Sequence, residues 1–145
     1  MEKFLSAVKS SQLFAGIDDE GIRAMLSCLL AEKRSYKKGE TVLSSGVSVD
    51  CIGLVLSGSV NVIEEDYWGN RNIVTVVGPG QSFAESYACA GGASLEVRVE
   101  AAQDCNALFM NIRRILTTCT SACAFHTRLI QNLVSLLAYK NLLMN

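Results

Sequence analysis

The side chains best placed for chemistry lie between Gly78 and Ala101. The stretch opens with a turn, Gly78-Pro79-Gly80, that holds the only proline. Phe83, Ala84 and Glu85 then lead into a short helix-compatible run, Ser86 to Ala90, which Gly91 and Gly92 break. Leu95 to Ala101 alternates as a strand does, with Leu95, Val97 and Val99 on one face. Turn, short helix, glycine break and strand enclose a concave pocket. The helix start inside it offers free backbone N–H groups to an anion, and Glu85 adds a carboxylate. This is an arrangement for holding a ligand.

Catalysis has little to work with. His126 is the only histidine, and the serines at 44 and 45 have no nearby histidine to serve as a base. The six cysteines stand at 28, 51, 89, 105, 119 and 123, and none forms a Cys-x-x-Cys. The one close pair, Cys119 and Cys123, lacks a second ligand pair at a zinc-site spacing. Buried small hydrophobes are the expected role for these thiols, in a reduced state. His126 stands near Cys119 and Cys123 in sequence, and a thiolate with an imidazole can ligate haem. The plainer reading of His126 is a partly exposed helix residue. No enzyme, no cofactor and no metal are expected.

The elements that would position Glu85 can be read in order. Residues 2–10 form a short amphipathic helix with Phe4, Leu5 and Val8 on one side. Asp18 and Asp19 cap a second helix running to about Ala31, whose apolar face is Ile22, Met25, Leu26 and Leu29. From Lys33 the period changes to two. Strands are expected at 32–37, 40–43, 51–56, 59–63, 73–77 and 104–110. Cys51 to Leu56 is a nearly continuous apolar run, as in a strand buried on both faces. Residues 64–72 make a polar hairpin tip, with Tyr67 and Trp68 expected to pack back on the barrel rather than meet a partner. Asn111 caps a short helix from Ile112 to about Thr118, whose Arg113 and Arg114 are solvated. The longest helix runs from Ala122 to Asn145. Its apolar residues form two stripes, Ile130, Leu133, Leu137 and Met144 on one and Leu129, Leu136 and Leu143 on the other, with Lys140 and Asn141 interrupting.

Composition bounds the rest. A chain of 145 residues suits one domain, and half of it is hydrophobic. No apolar run reaches the ~18–20 residues of a membrane span. The N-terminus is too short and too charged for a secretory signal, so a cytoplasmic location is expected. A net charge of −1 gives no basic footprint for nucleic acid.

The stretch from Gly80 resembles the phosphate-binding cassette of the cyclic-nucleotide-binding domain in Crp/Fnr-type bacterial regulators. That cassette reads Gly-x-x-Phe-Gly-Glu, a short helix, then Arg-Ser/Thr-Ala on a strand. Gly80, Phe83 and Glu85 fit, and Ala84 replaces the second glycine. The Arg position carries Leu95 and the Ser/Thr position carries Glu96. Leu13, Phe14, Gly16 and Ile17 resemble the family's N-terminal signature. Tyr36, Lys38, Gly39, Glu40 and Gly46, then Ile52, Leu54, Leu56, Gly58, Val60 and Val62, follow its strand-and-glycine pattern. The resemblance covers residues 12–145.

It implies a mainly β fold with flanking helices: a double-stranded β-helix, or jelly roll, over residues 1–121 and a dimerisation helix over 122–145. It implies an effector-sensing domain of a transcriptional regulator. The effector would touch Phe83, Glu85, Ser86, Leu95, Glu96 and Val97 from the cassette and Arg128, Gln131 and Asn132 from the long helix. With Leu95 and Val97 on one face, a hydrophobic or amphiphilic effector is expected. Homodimers would form along Ile130, Leu133, Leu137 and Met144, and DNA would be met only through a domain absent from this chain. In the family the Glu holds the ribose and the Arg holds the cyclic phosphate. A charged hydrogen bond from Arg to phosphate is worth roughly 1.5–3 kcal/mol. A carboxylate about 5 Å from a phosphate repels it by roughly 3 kcal/mol at an effective dielectric of about 20. Loss of cyclic-nucleotide binding is therefore expected. A haem or metal sensor, and a cyclic-nucleotide domain with an altered cassette, are the alternatives the resemblance leaves.

Overall fold

The computed structural model describes residues 2–91, 93–117 and 125–144. The strands are β1 (Glu32–Tyr36), β2 (Thr41–Leu43), β3 (Cys51–Ser57), β4 (Val60–Glu65), β5 (Arg71–Val77), β6 (Ser82–Phe83), β7 (Arg98–Ala101) and β8 (Cys105–Asn111). They form two four-stranded sheets, β1-β8-β3-β6 and β2-β7-β4-β5, with every pairing antiparallel. The chain passes repeatedly between the sheets, which makes a jelly roll. The helices are α1 (Leu5–Ser10), α2 (Asp19–Cys28), α3 (Glu85–Cys89), α4 (Ile112–Leu116) and α5 (His126–Met144).

The caps follow from side-chain chemistry. Asp18 Oδ1 accepts from Gly21 N at 2.8 Å to start α2, and Asn111 Oδ1 accepts from Arg113 N at 2.9 Å to start α4. The helix α2 stops at Cys28, short of the expected Ala31, and Leu30 follows it with a positive φ of 50°.

Two apolar clusters hold the molecule. One lies between the sheets and contains Val55, Val60, Val77, Phe83, Val99 and Phe109. There the Phe83 and Phe109 rings meet edge to face, centroids 5.9 Å apart. The other lies between β3–β8 and the helices. It joins Leu13, Phe14, Ile22, Met25, Ile52, Leu54, Leu108, Ile115, Leu129 and Leu133. β3 feeds both, Val55 one way and Ile52 and Leu54 the other, and this explains its continuous apolar sequence. Gly53 in its middle faces the Phe83 ring, and a methyl group there would collide with it.

Three expectations are corrected. Tyr67 and Trp68 do not pack back on the barrel; they are 101% and 84% exposed. The hairpin turn closes through Asp66, which accepts from the backbone N–H groups of Trp68 and Asn70, so the aromatic rings are not needed to hold it. His126 is buried, not partly exposed. Leu95 and Val99 do not share a face: β7 begins at Arg98, and Leu95 precedes it in the helix-side cluster while Val99 lies between the sheets. Cys119, Cys123 and the expected helix start at Ala122 fall outside the described residues.

Candidate functional site

The cassette is set by backbone geometry first. Gly80 turns the chain with φ 81°, β6 pairs with β3 through Leu54–Ser82 and Gly53–Phe83, and Ala84 then takes φ 65°, ψ 8°. This is the left-handed region, the conformation for which a glycine is the usual residue. The kink delivers Glu85 to the first position of α3 and turns its side chain inward, where it is buried.

The carboxylate meets a cation that the sequence reading did not assign to it. Lys140 of α5 places its Nζ 2.5 Å from Glu85 Oε1 and donates to the Ser82 carbonyl at 2.8 Å. Glu85 Oε2 and Ser82 Oγ are buried beside it without a hydrogen-bond partner among the described residues. The only sign of Lys140 in the sequence is its place as a charge interrupting an apolar helix; no charged residue lies between Arg128 and it, or after it.

The other expected effector contacts disperse. Leu95 is 2% exposed and part of the helix-side core, with Val97 packed against the same cluster. Phe83 is buried between the sheets, and Ser86 faces solvent. Glu96 turns outward into a pocket of about 330 Å³ that it lines with Thr41, Ser44, Ser45, Ile63, Glu65 and Arg98. That space is lined by hydroxyls and charges, so the expected apolar pocket is not what stands beside the cassette. Arg98 donates to Glu100 at 2.7 Å on the same strand. A larger groove of about 800 Å³, lined by Cys28, Leu30, Arg34, Phe109 and Arg113 among others, includes no cassette residue.

From α5, Arg128 Nε donates to the Ala15 carbonyl at 3.3 Å, and Asn132 Nδ2 donates to the carbonyls of Leu13 at 2.9 Å and Ala15 at 2.8 Å. These two clamp the segment before α2 instead of reaching the cassette. Gln131 is exposed. Leu133 is 2% exposed within its own chain, so it is no part of an outward seam; Ile130 and Leu137 are half-buried, and the Met144 side chain lies outside the described residues. The outward apolar residues are Val134, Tyr139, Leu142 and Leu143.

His126 Nε2 lies 2.5 Å from the Ile115 carbonyl, which can only accept, so the ring clips α5 to α4. Among the described residues no group of three or more His, Cys, Asp or Glu could hold a metal ion, and no helix is long and apolar enough to cross a membrane. Burial raises the Cys51 thiol to about 11, helped by its hydrogen bond to Asp50, and burial likewise pushes Cys89 and Cys105 up. Thiols raised in this way stay protonated near neutral pH and react slowly; Cys105 is buried, while Cys51 and Cys89 are half-buried.

Known structures share this architecture. The catabolite activator protein of Thermus thermophilus superposes with a TM-score of 0.75 at 24% identity, over 90% of this chain and 58% of that one. The N-terminal domain of a transcriptional regulator from Streptomyces coelicolor A3(2) gives 0.78 at 19%, over 96% and 95%. The sensor domain of the transcriptional regulator DNR from Pseudomonas aeruginosa gives 0.72 at 17%, over 97% and 90%. This chain thus spans less than two thirds of the Thermus protein, and at these identities the likeness shows the fold. The sequence goes further: residues 33–121, from β1 through the cassette and past α4, match the model of the cyclic nucleotide-binding domain. With the jelly roll, the left-handed kink and the inward carboxylate in place, the chain belongs to the cyclic nucleotide-binding domain family.

Proposed function

We propose that this chain is the effector-sensing and dimerisation domain of a Crp/Fnr-like transcriptional regulator, and that cyclic nucleotides are not its ligands. The observation that carries the second half is Leu95. It stands where the cassette resemblance requires the phosphate-binding Arg, and it is sealed in the core. At that position there is no guanidinium to meet a cyclic phosphate; the nearby Arg98 is paired with Glu100 and Glu65, and Glu85 already holds Lys140. The regulator reading is supported by the family, by the fold shared with a regulator's sensor domain, and by α5, whose outward residues Val134, Leu142 and Leu143 offer a partner helix an apolar surface. With a net charge of −1, contact with DNA is assigned to another part of the regulator. The open pocket beside Glu96 and Arg98 favours a polar small-molecule effector over a greasy one.

A thermal-shift panel of cyclic AMP, cyclic GMP and small polar metabolites tests this. A ligand at about 100 times its Kd stabilises the fold by about 2.7 kcal/mol. The cyclic nucleotides are expected to produce no shift at millimolar concentration. A clear shift with either would overturn the reading.

A further inference from the structure

The last two turns of α5 are held differently from the rest of that helix. Leu129, Leu133 and Leu136 are buried in the core, and Asn132 is bonded to two carbonyls before α2. Beyond Leu137 the surface opens, and Tyr139, Leu142 and Leu143 are each more than half exposed. Among the described residues past Leu137, Lys140 alone makes a polar side-chain contact with the barrel. It makes two, to Glu85 Oε1 at 2.5 Å and to the Ser82 carbonyl at 2.8 Å.

We propose that Lys140 is a built-in ligand of the cassette. Its ammonium occupies the carboxylate that an external ligand would use, and in doing so latches the end of α5 to the corner between β6 and α3. The pair has both properties of a latch. It is firm, because a charged hydrogen bond to a carboxylate only 5% exposed is little screened by water. It is exchangeable, because the lysine side chain is 37% exposed and reaches Glu85 on a flexible stem. A ligand that releases Lys140 must bring hydrogen-bond donors to Glu85, since a buried carboxylate without a partner is strongly disfavoured. This selects effectors carrying hydroxyl or amine groups and rejects bare anions. Release frees the turns that carry Leu142 and Leu143, the part of α5 open to a partner chain. The meaning of that release as a signal rests on the sensor reading above; the latch itself needs no ligand.

Hydrogen–deuterium exchange of the whole chain, without ligand, decides it. In Lys140→Met and Glu85→Gln, amides of residues 138–144 should exchange at least tenfold faster, while β3 and β8 stay protected. Lys140→Arg should keep the protection. The double reversal Glu85→Lys with Lys140→Glu should regain most of what each single reversal loses. Unchanged exchange in Lys140→Met overturns the proposal, as does a double reversal no better than the singles. So does equal loosening of β3, β8 and α5 in Lys140→Met, which would make the pair a general support of the fold. Because no ligand is used, failure here is distinct from failure of the sensor reading.

Discussion

Ala84 sits where side chains are disfavoured, at φ 65°. The left-handed conformation costs an L-residue roughly 1–2 kcal/mol, partly offset by the larger entropy a glycine loses on folding. Ala84→Gly is therefore expected to stabilise the chain by about 0.5–1 kcal/mol, read as a higher urea midpoint at unchanged slope. Cys51 offers a second test at this scale. Its thiol is raised to about 11, chiefly by burial, so at pH 8 it should alkylate on the order of a hundredfold more slowly than a free thiol titrating near 8.5. The folded chain keeps a proton that the unfolded chain releases, so this contribution is whole below about pH 8.5 and is lost as pH rises toward 11. Site-resolved alkylation read by mass spectrometry across pH 7–10 checks the first statement.

Among the elements, most strands and the caps were legible because their signals are local, whereas the two-residue β6 is too short to show a period and β7 starts at Arg98, not Leu95. Alternation marked β4, the continuous run marked β3, and Asp18 and Asn111 announced the helices that they cap. The orientation of α5 was not. Its leucines recur at steps of three and four on two stripes, and which stripe turns inward depends on what the helix meets, not on its own period. It meets the segment around Leu13 and the α4 residue Ile115, which draws in Leu129 and Leu133, buries Leu136 farther along and turns Val134 outward. Lys140 was hidden for the same reason: it reads as a fault in an apolar helix until Glu85, far away in sequence, is placed opposite it. Tyr67 and Trp68 show the converse, since a hairpin tip closed by Asp66 leaves its aromatics no surface to cover. The register has a mutational consequence. Leu133→Ala should cost the folded chain roughly 2–5 kcal/mol, as a core truncation does. Val134→Ala should change stability by about 0.5 kcal/mol or less when measured on dilute monomer. Equal effects in denaturant titrations would contradict the placement of α5.

For the whole molecule, the outward apolar surface of α5 predicts self-association. Two copies related by a two-fold axis would cover Val134 and Leu142 of each, and such dimers are the commonest closed assemblies. Sedimentation equilibrium should show a dimer at micromolar concentration. The paired substitution Val134→Glu with Leu142→Glu should give monomers with an unchanged barrel, because both positions are exposed in the single chain. A wild-type monomer at about 100 µM, an association weaker than roughly −5.5 kcal/mol, would refute it. In the proposed reading this cassette has a buried Leu95 where a phosphate clamp would stand, and its carboxylate is held by Lys140. Calorimetric titration of cyclic AMP into the unmodified protein tests that most directly. Heat of dilution alone up to millimolar ligand is the predicted result; a saturable isotherm with a Kd below about 100 µM would contradict it.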